Sequence, residues 1–136
     1  MIRKAAPEDV DAILALVNTN TDRLLARDRE EIVQLLDGFW VAEQDGELVG
    51  CCCLEIYSAK IAELRSLAVA PRHRGRGIGA ALTGAAVDEA QRRGIPQVLV
   101  VTSNREFFER LNFGPVLNEK YALFWLNPAA PPGVKP

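Results

Sequence analysis

The sequence predicts a mixed α/β domain whose sheet is antiparallel in its first half and carries a parallel β-α-β unit in its second. Two runs with strand character are joined by Asp45-Gly46, a dipeptide that favours a tight hairpin. Further on, a helix-periodic stretch over residues 78–93 separates a third strand run from the apolar run Val98-Leu99-Val100-Val101, and a crossover helix is what lets two strands lie parallel. The 136 residues are 49% hydrophobic and 25% charged, enough for one globular core and too few for a second domain.

In order, residues 2–5 form a short strand. Pro7-Glu8-Asp9 then opens a helix on which Val10, Ile13, Leu14 and Val17 recur at helical spacing. Asp28, with Glu31 three residues on, caps a second helix through Ile32, Leu35 and Leu36, ending near Asp37-Gly38. Strands are expected over 39–44, 47–57 and 61–69, making an antiparallel meander. The helix from Ile78 to Arg93 places Ala81, Leu82, Ala85 and Ala86 on one side and stops at Gly94. Residues 97–102 lack polar alternation and read as a strand buried on both faces. A short helix over 106–111 ends at Asn112, which takes the left-handed cap position, and residues 121–126 read as a final strand. From Pro128 the chain is too rich in proline to bury much and reads as a frayed tail.

The totals exclude several classes of function. A formal net charge of −2 gives no bulk attraction to nucleic acid, and no apolar run approaches bilayer length, so neither nucleic acid nor membrane is an expected partner. Cys51-Cys52-Cys53 cannot cross-link within a strand and read as free thiols of a reducing compartment. With His73 the single histidine and no CxxC pair, no metal site is expected. Met1-Ile2-Arg3-Lys4 leads into a polar helix start without a secretory apolar core, so a cytoplasmic location is expected.

The chemistry concentrates in Leu67-Ala68-Val69-Ala70-Pro71-Arg72-His73-Arg74-Gly75-Arg76-Gly77-Ile78-Gly79-Ala80, a strand, a glycine-rich turn and a helix start. Spaced glycines let successive backbone N–H groups converge without Cβ interference, and the helix N-terminus adds positive potential. Arg72, Arg74 and Arg76 bring full charges, so a phosphate or pyrophosphate is the natural guest. A nucleoside-triphosphate loop needs Gly-Lys-Ser/Thr, whereas Gly79 is followed by Ala80-Ala81. A dinucleotide fingerprint is formally present as Gly75-x-Gly77-x-x-Ala80. Five residues separate it from Val69, however, and the next strand ends in Thr102-Ser103 without a ribose-binding acid. A flexible basic turn with no ligand is the remaining alternative.

Written as Arg74-x-x-Gly77-x-Gly79, the turn resembles the acetyl-CoA signature of the GNAT superfamily of N-acetyltransferases. Leu67-Ala68-Val69, Pro71, Ile78, Leu82 and the late Phe107-Phe108-Glu109-Arg110-Leu111-Asn112-Phe113 agree with it, and the resemblance spans residues 2 to about 126. It implies a GNAT-type fold, an acetyltransferase domain over residues 1–127 followed by the tail 128–136, acetyl-CoA as the acetyl donor, and a homodimer. The implied cofactor contacts are the backbone of Arg74, Gly75, Arg76, Gly77, Ile78, Gly79 and Ala80, the Arg72 side chain, and the main chain of Leu67, Ala68 and Val69. Asn104, Phe107 and Phe108 are implied to pack on the cofactor. The amide of Leu67 is implied to stabilise charge on the acetyl carbonyl.

Glu63 is the candidate base, since the resemblance puts a catalytic glutamate at the start of this strand. Alternation places Glu63, Arg65, Leu67 and Val69 on one face. The alternative is a solvated acid paired with Arg65. The family's thiolate-protonating tyrosine is replaced by Phe108, which leaves Ser103, Asn104 and Tyr121 as candidate acids. A closer resemblance, to the acetyltransferase domain of N-acetylglutamate synthases and their short free-standing forms, rests on three features. These are Leu24-Leu25-Ala26-Arg27-Asp28-Arg29-Glu30-Glu31, Phe39-Trp40-Val41-Ala42-Glu43 with Asp45-Gly46 and Gly50-Cys51, and the Phe107-Phe108 pair. It implies a free amino acid such as glutamate as the amine, with Arg27, Arg29 and Arg65 as carboxylate partners. A protein N-terminus, a lysine, a small amine or a non-catalytic acyl-CoA module are the alternatives.

Overall fold

The computed structural model describes residues 1–20, 27–115 and 121–129. Contacts divide the chain into two units, Met1–Val100 and one beginning at Val101.

The first unit holds a five-stranded sheet in sequence order: β1 (Ile2–Lys4), β2 (Phe39–Gln44), β3 (Glu47–Ile56), β4 (Ile61–Val69) and β5 (Gln97–Leu99). The pairs β1–β2, β2–β3 and β3–β4 are antiparallel, and β4–β5 is parallel, as the meander and crossover predict. The β2–β3 hairpin turns on Asp45 and Gly46, both at positive φ. Three helices accompany the sheet: α1 (Val10–Thr19), α2 (Arg29–Leu35) and α3 (Ile78–Arg92). Asp28 and Glu31 form the expected capping box, each side chain accepting from the other's backbone N–H at 2.9 and 3.3 Å.

The cysteine run shows how the layers lie. Cys51 and Cys53 join Val10, Ile13, Val17, Ile32, Phe39 and Val41 in the core under α1 and α2, whereas Cys52 points the other way, its Sγ 3.5 Å from the Leu82 carbonyl of α3. Helices α1 and α2 therefore cover one face of the sheet and α3 the other. All three thiols are buried and free, and burial pushes Cys51 and Cys53 up to about 12. Helix α3 sits close on β3: a Cβ on Gly50 would come within 3.0 Å of Ile78 and Leu82.

In the second unit, α4 (Arg105–Glu109) starts on Asn104, whose Oδ1 accepts from Phe107 N–H. The helix stops at Glu109, earlier than the predicted 111, and the turn after it closes through Asn112 in the predicted left-handed conformation (φ 69°), with Phe113 N–H donating to the Phe108 carbonyl at 3.0 Å.

Two expectations fail. The apolar run after α3 yields only the three residues of β5, and Gln97 and Leu99 are exposed rather than buried on both faces, because among the described residues β5 is the sheet edge with β4 as its one neighbour. Residues 121–126 are irregular, with Tyr121 86%, Leu123 89% and Trp125 80% exposed. Strand-like composition does not make a strand without a ladder partner to satisfy its N–H and C=O groups. Among the described residues no helix is long and apolar enough to cross a membrane.

Candidate active site

After β4 the chain makes a short 3-10 turn over Pro71–His73, passes Gly75 and Gly77 at φ 78° and 82°, and enters α3. Such dihedrals cost a residue with a Cβ about 1–2 kcal/mol, which accounts for glycine at both places. The first helical bond of α3 runs from Ala81 N–H to Gly77 C=O at 3.0 Å. The amides of Ile78, Gly79 and Ala80 precede it and have no intrahelical acceptor, so three donors converge at the positive end of the helix. The arginines form a tethered rim. Arg72 pairs with Glu47, Arg74 reaches the Asn20 side chain and the Val69 carbonyl, and Arg76 lies 3.2 Å from the His73 ring.

Immediately upstream, β4 is bulged. Arg65 faces Cys53 and Ala68 faces Cys51, so Ser66 and Leu67 together oppose the single Cys52, and Ser66 adopts φ 56°. The bulge overturns the expected alternation. Cys51 and Cys53 share a face, hence Arg65 and Ala68 do too, and Leu67 and Val69 lie on the opposite face, toward α3. The extra residue shifts side-chain parity by one. Glu63 and Arg65 thus face the α1/α2 side, while the residues leading into the glycine turn face α3. The ladder between β4 and β5 stops at Glu63↔Leu99, which leaves the β4 backbone beyond Glu63 open on that edge among the described residues.

On the α1/α2 face a polar cluster forms around Glu55, whose side chain is 11% exposed. Its Oε2 accepts from Arg65 Nη1 at 3.1 Å and its Oε1 lies 3.8 Å from Arg27 Nη2. Arg27 is buried. Its backbone is clasped by the Asn18 side chain through two bonds of 3.1 Å, and its Nε donates to Ser66 Oγ in the bulge at 2.7 Å. Among the described residues its buried Nη2 has no hydrogen-bond acceptor. Such a donor costs about 1–3 kcal/mol unless something accepts from it. Opposite Glu55 in register stands Glu63, whose Oε1 accepts from Tyr57 Oη at 2.6 Å.

The structure therefore brings together Arg27, Arg65 and Glu63 and leaves Arg29 apart, where its Nε bonds Asp11 of α1 at 2.9 Å on the exposed surface. Arg65 pairs with Glu55 rather than with Glu63. Of the motif at residues 24–31, Leu24, Leu25 and Ala26 lie outside the described residues. In the second unit Ser103 and Tyr121 are exposed and Asn104 is a helix cap. Phe108 packs edge-on between Phe107 and Phe113 at 4.9 and 5.4 Å, a ring with no proton to give. Sequence reasoning missed Glu55, Tyr57 and Ser66. Glu55 and Tyr57 were legible as polar groups at alternate positions ending an apolar strand. Ser66 was not, because nothing in its identity announces a bulge.

A model of the acetyltransferase (GNAT) family matches residues 10–113. The chain belongs to this family. An uncharacterised N-acetyltransferase of Chlorobaculum tepidum is 33% identical over 122 residues, 88% of this chain and 79% of that protein. An amino-acid acetyltransferase of Mycobacterium tuberculosis is 34% identical over 117 residues, 83% of this chain and 67% of that protein. Among solved structures, an M. tuberculosis protein in complex with CoA matches with TM-score 0.82 at 33% identity, covering 85% of this chain and 72% of that one. The N-acetylglutamate synthase of Neisseria gonorrhoeae, complexed with coenzyme A and N-acetyl-glutamate, matches with TM-score 0.76 at 30% identity. That match covers 82% of this chain and 27% of the synthase. As a GNAT domain, the chain is an acetyl-CoA-dependent N-acetyltransferase, and the bulged strand followed by a glycine turn is the part of its fold that suits an extended, phosphate-bearing donor.

Proposed function

We propose that the acceptor is the α-amino group of a free amino acid such as glutamate. The carrying observation is Arg27 Nη2, a buried guanidinium donor without an acceptor among the described residues, beside Arg65 and across the strand pair from Glu63. A substrate carboxylate satisfies that donor, and a guanidinium binds it through a planar fork. The amino-acid acetyltransferase and N-acetylglutamate synthase relatives support the same reading.

In this mechanism the CoA pyrophosphate lies on the amides from Arg74 to Ala80, with Arg72 at its edge. The three open amides of Ile78, Gly79 and Ala80 fit it. The open main chain of Leu67 and Val69 takes the pantetheine arm, and the Leu67 amide, at the bulge, holds the negative charge that develops on the acetyl oxygen. Glu63 takes the amine proton, directly or through one water, so that the nitrogen attacks as a neutral amine. Arg27 and Arg65 fix the amino acid, whereas Arg29 is held off by Asp11. Protonation of the departing thiolate falls to Ser103, Asn104 or Tyr121, since Phe108 has no proton to donate. The enzyme works as a homodimer in the cytoplasm. The free buried cysteines are consistent with that compartment.

The test is acetyl-CoA consumption against free amino acids, peptides with a free N-terminus, and polyamines. Turnover is expected with free amino acids, and Arg27→Ala should raise their KM by about ten- to a hundredfold, the loss of one charged hydrogen-bonding partner. Tight CoA binding with no turnover on any amine would instead indicate the acyl-CoA-binding module that the Phe108 substitution favours.

A further inference from the structure

We propose that Tyr57 is a positioning residue for the transfer. Its hydroxyl holds the Glu63 carboxylate in the orientation from which it accepts the amine proton, while the two arginines keep Glu55 from competing for that hydroxyl. The inference rests on the reading of Glu63 as the base.

Glu55 and Glu63 are register partners on adjacent antiparallel strands, so two carboxylates stand directly opposite each other. Like charges in that arrangement repel unless something is placed between them. Tyr57 fills that role. Its Oη lies 2.6 Å from Glu63 Oε1 and 3.3 Å from Glu55 Oε2. A phenol has one hydrogen to give, and the shorter contact marks Glu63 as its acceptor. Glu55 has other partners, Arg65 Nη1 at 3.1 Å and Arg27 Nη2 at 3.8 Å. Among the described residues Tyr57 is the one hydrogen-bond donor to the Glu63 side chain.

Among the described residues the charged groups around the pair are Glu55 on β3, Arg65 on β4 and, behind Glu55, Arg27 with Glu31 of α2. On β5 the neighbour of Glu63 is the apolar Leu99. Desolvation and the bond to Glu63 hold the Tyr57 phenol above its ordinary value, so it stays protonated and remains a donor. Its own proton is not transferred; the amine proton goes to Glu63. The position of Tyr57 does not depend on its hydroxyl. The N–H groups of Tyr57 and Ser58 both bond the Ile61 carbonyl, at 3.1 and 3.2 Å, and close the β3–β4 turn. With the residue 54% exposed, the phenylalanine variant is expected to keep the fold.

The experiment is a double-mutant cycle of Tyr57→Phe and Glu63→Gln, read as kcat and as KM for acetyl-CoA with the best amine of the substrate panel, with melting temperatures as a folding control. Tyr57→Phe should lower kcat about three- to tenfold, the worth of one hydrogen bond, with KM for acetyl-CoA and melting temperature unchanged. In the Glu63→Gln background the same change should cost nothing further. A wild-type kcat for Tyr57→Phe, or the same fold-loss with and without Glu63, overturns the proposal. A wild-type rate for Glu63→Gln removes the base reading itself and Tyr57 with it. Slow Glu63→Gln beside fast Tyr57→Phe removes Tyr57 alone.

Discussion

Arg3 reaches from β1 to Asp9 at the start of α1 through two bonds of 2.7 and 3.0 Å and touches Glu43 on β2 at 3.2 Å, so one side chain ties two strands to a helix start. The Arg3 hydrogen bonds hold the Asp9 carboxyl below its ordinary value, against the opposing effect of burial. A lowered folded value means that the stabilisation is fully present above the unfolded carboxylate range, about pH 3.9, and is lost as pH falls through the folded value. Asp9→Asn should cost about 1–2 kcal/mol at pH 7. In melting curves taken between about pH 2 and 7, the gap between wild type and variant should narrow toward the acid end. A gap that stays constant with pH would mean that the pair contributes nothing through its charge.

Among the elements, α3 and the β4 bulge shape the candidate site, α3 through its close approach to β3 at Gly50 and the bulge through its extra residue. Gly50 lets the first turn of α3, with its three open amides, lie directly on β3. Gly50→Val must push Ile78 and Leu82 away. It should cost about 1–3 kcal/mol in thermal unfolding and raise KM for acetyl-CoA, and Gly50→Ala should do less of both. An unchanged KM alongside a lowered melting temperature would separate the packing of α3 from its proposed role in holding the CoA pyrophosphate. The bulge acts differently. By adding one residue opposite Cys52 it puts Glu63 and Arg65 on one side of the sheet and the side chains of Leu67 and Val69 on the other, so the polar cluster around Glu55 and the approach to the glycine turn occupy opposite faces of one strand.

For the whole chain, the tail from Pro128 has a composition that cannot bury much surface, so removing residues 128–136 should leave melting temperature and acetyl transfer unchanged. A drop in either would show that the tail packs on the domain. The sequence alone determined the order of the elements as far as α4, the capping box at Asp28, the hairpin at Asp45-Gly46, the Asn112 cap and the glycine turn into α3, because each is written in local chemistry: a side chain at a fixed offset, or a residue type that tolerates a left-handed backbone. Glu63, Arg27 and Arg65, which the structure gathers around Glu55, were named from residue type and family resemblance as candidates for the proposed acceptor site. Only the tertiary structure decided that Arg65 pairs with Glu55, that Arg29 belongs to Asp11, that Tyr57 sits on Glu63, and that alternation breaks at Ser66. Those facts depend on register between strands and on which helix lies over which face. Register comes from contacts distant in sequence, and a shift of one residue inverts every side chain beyond it.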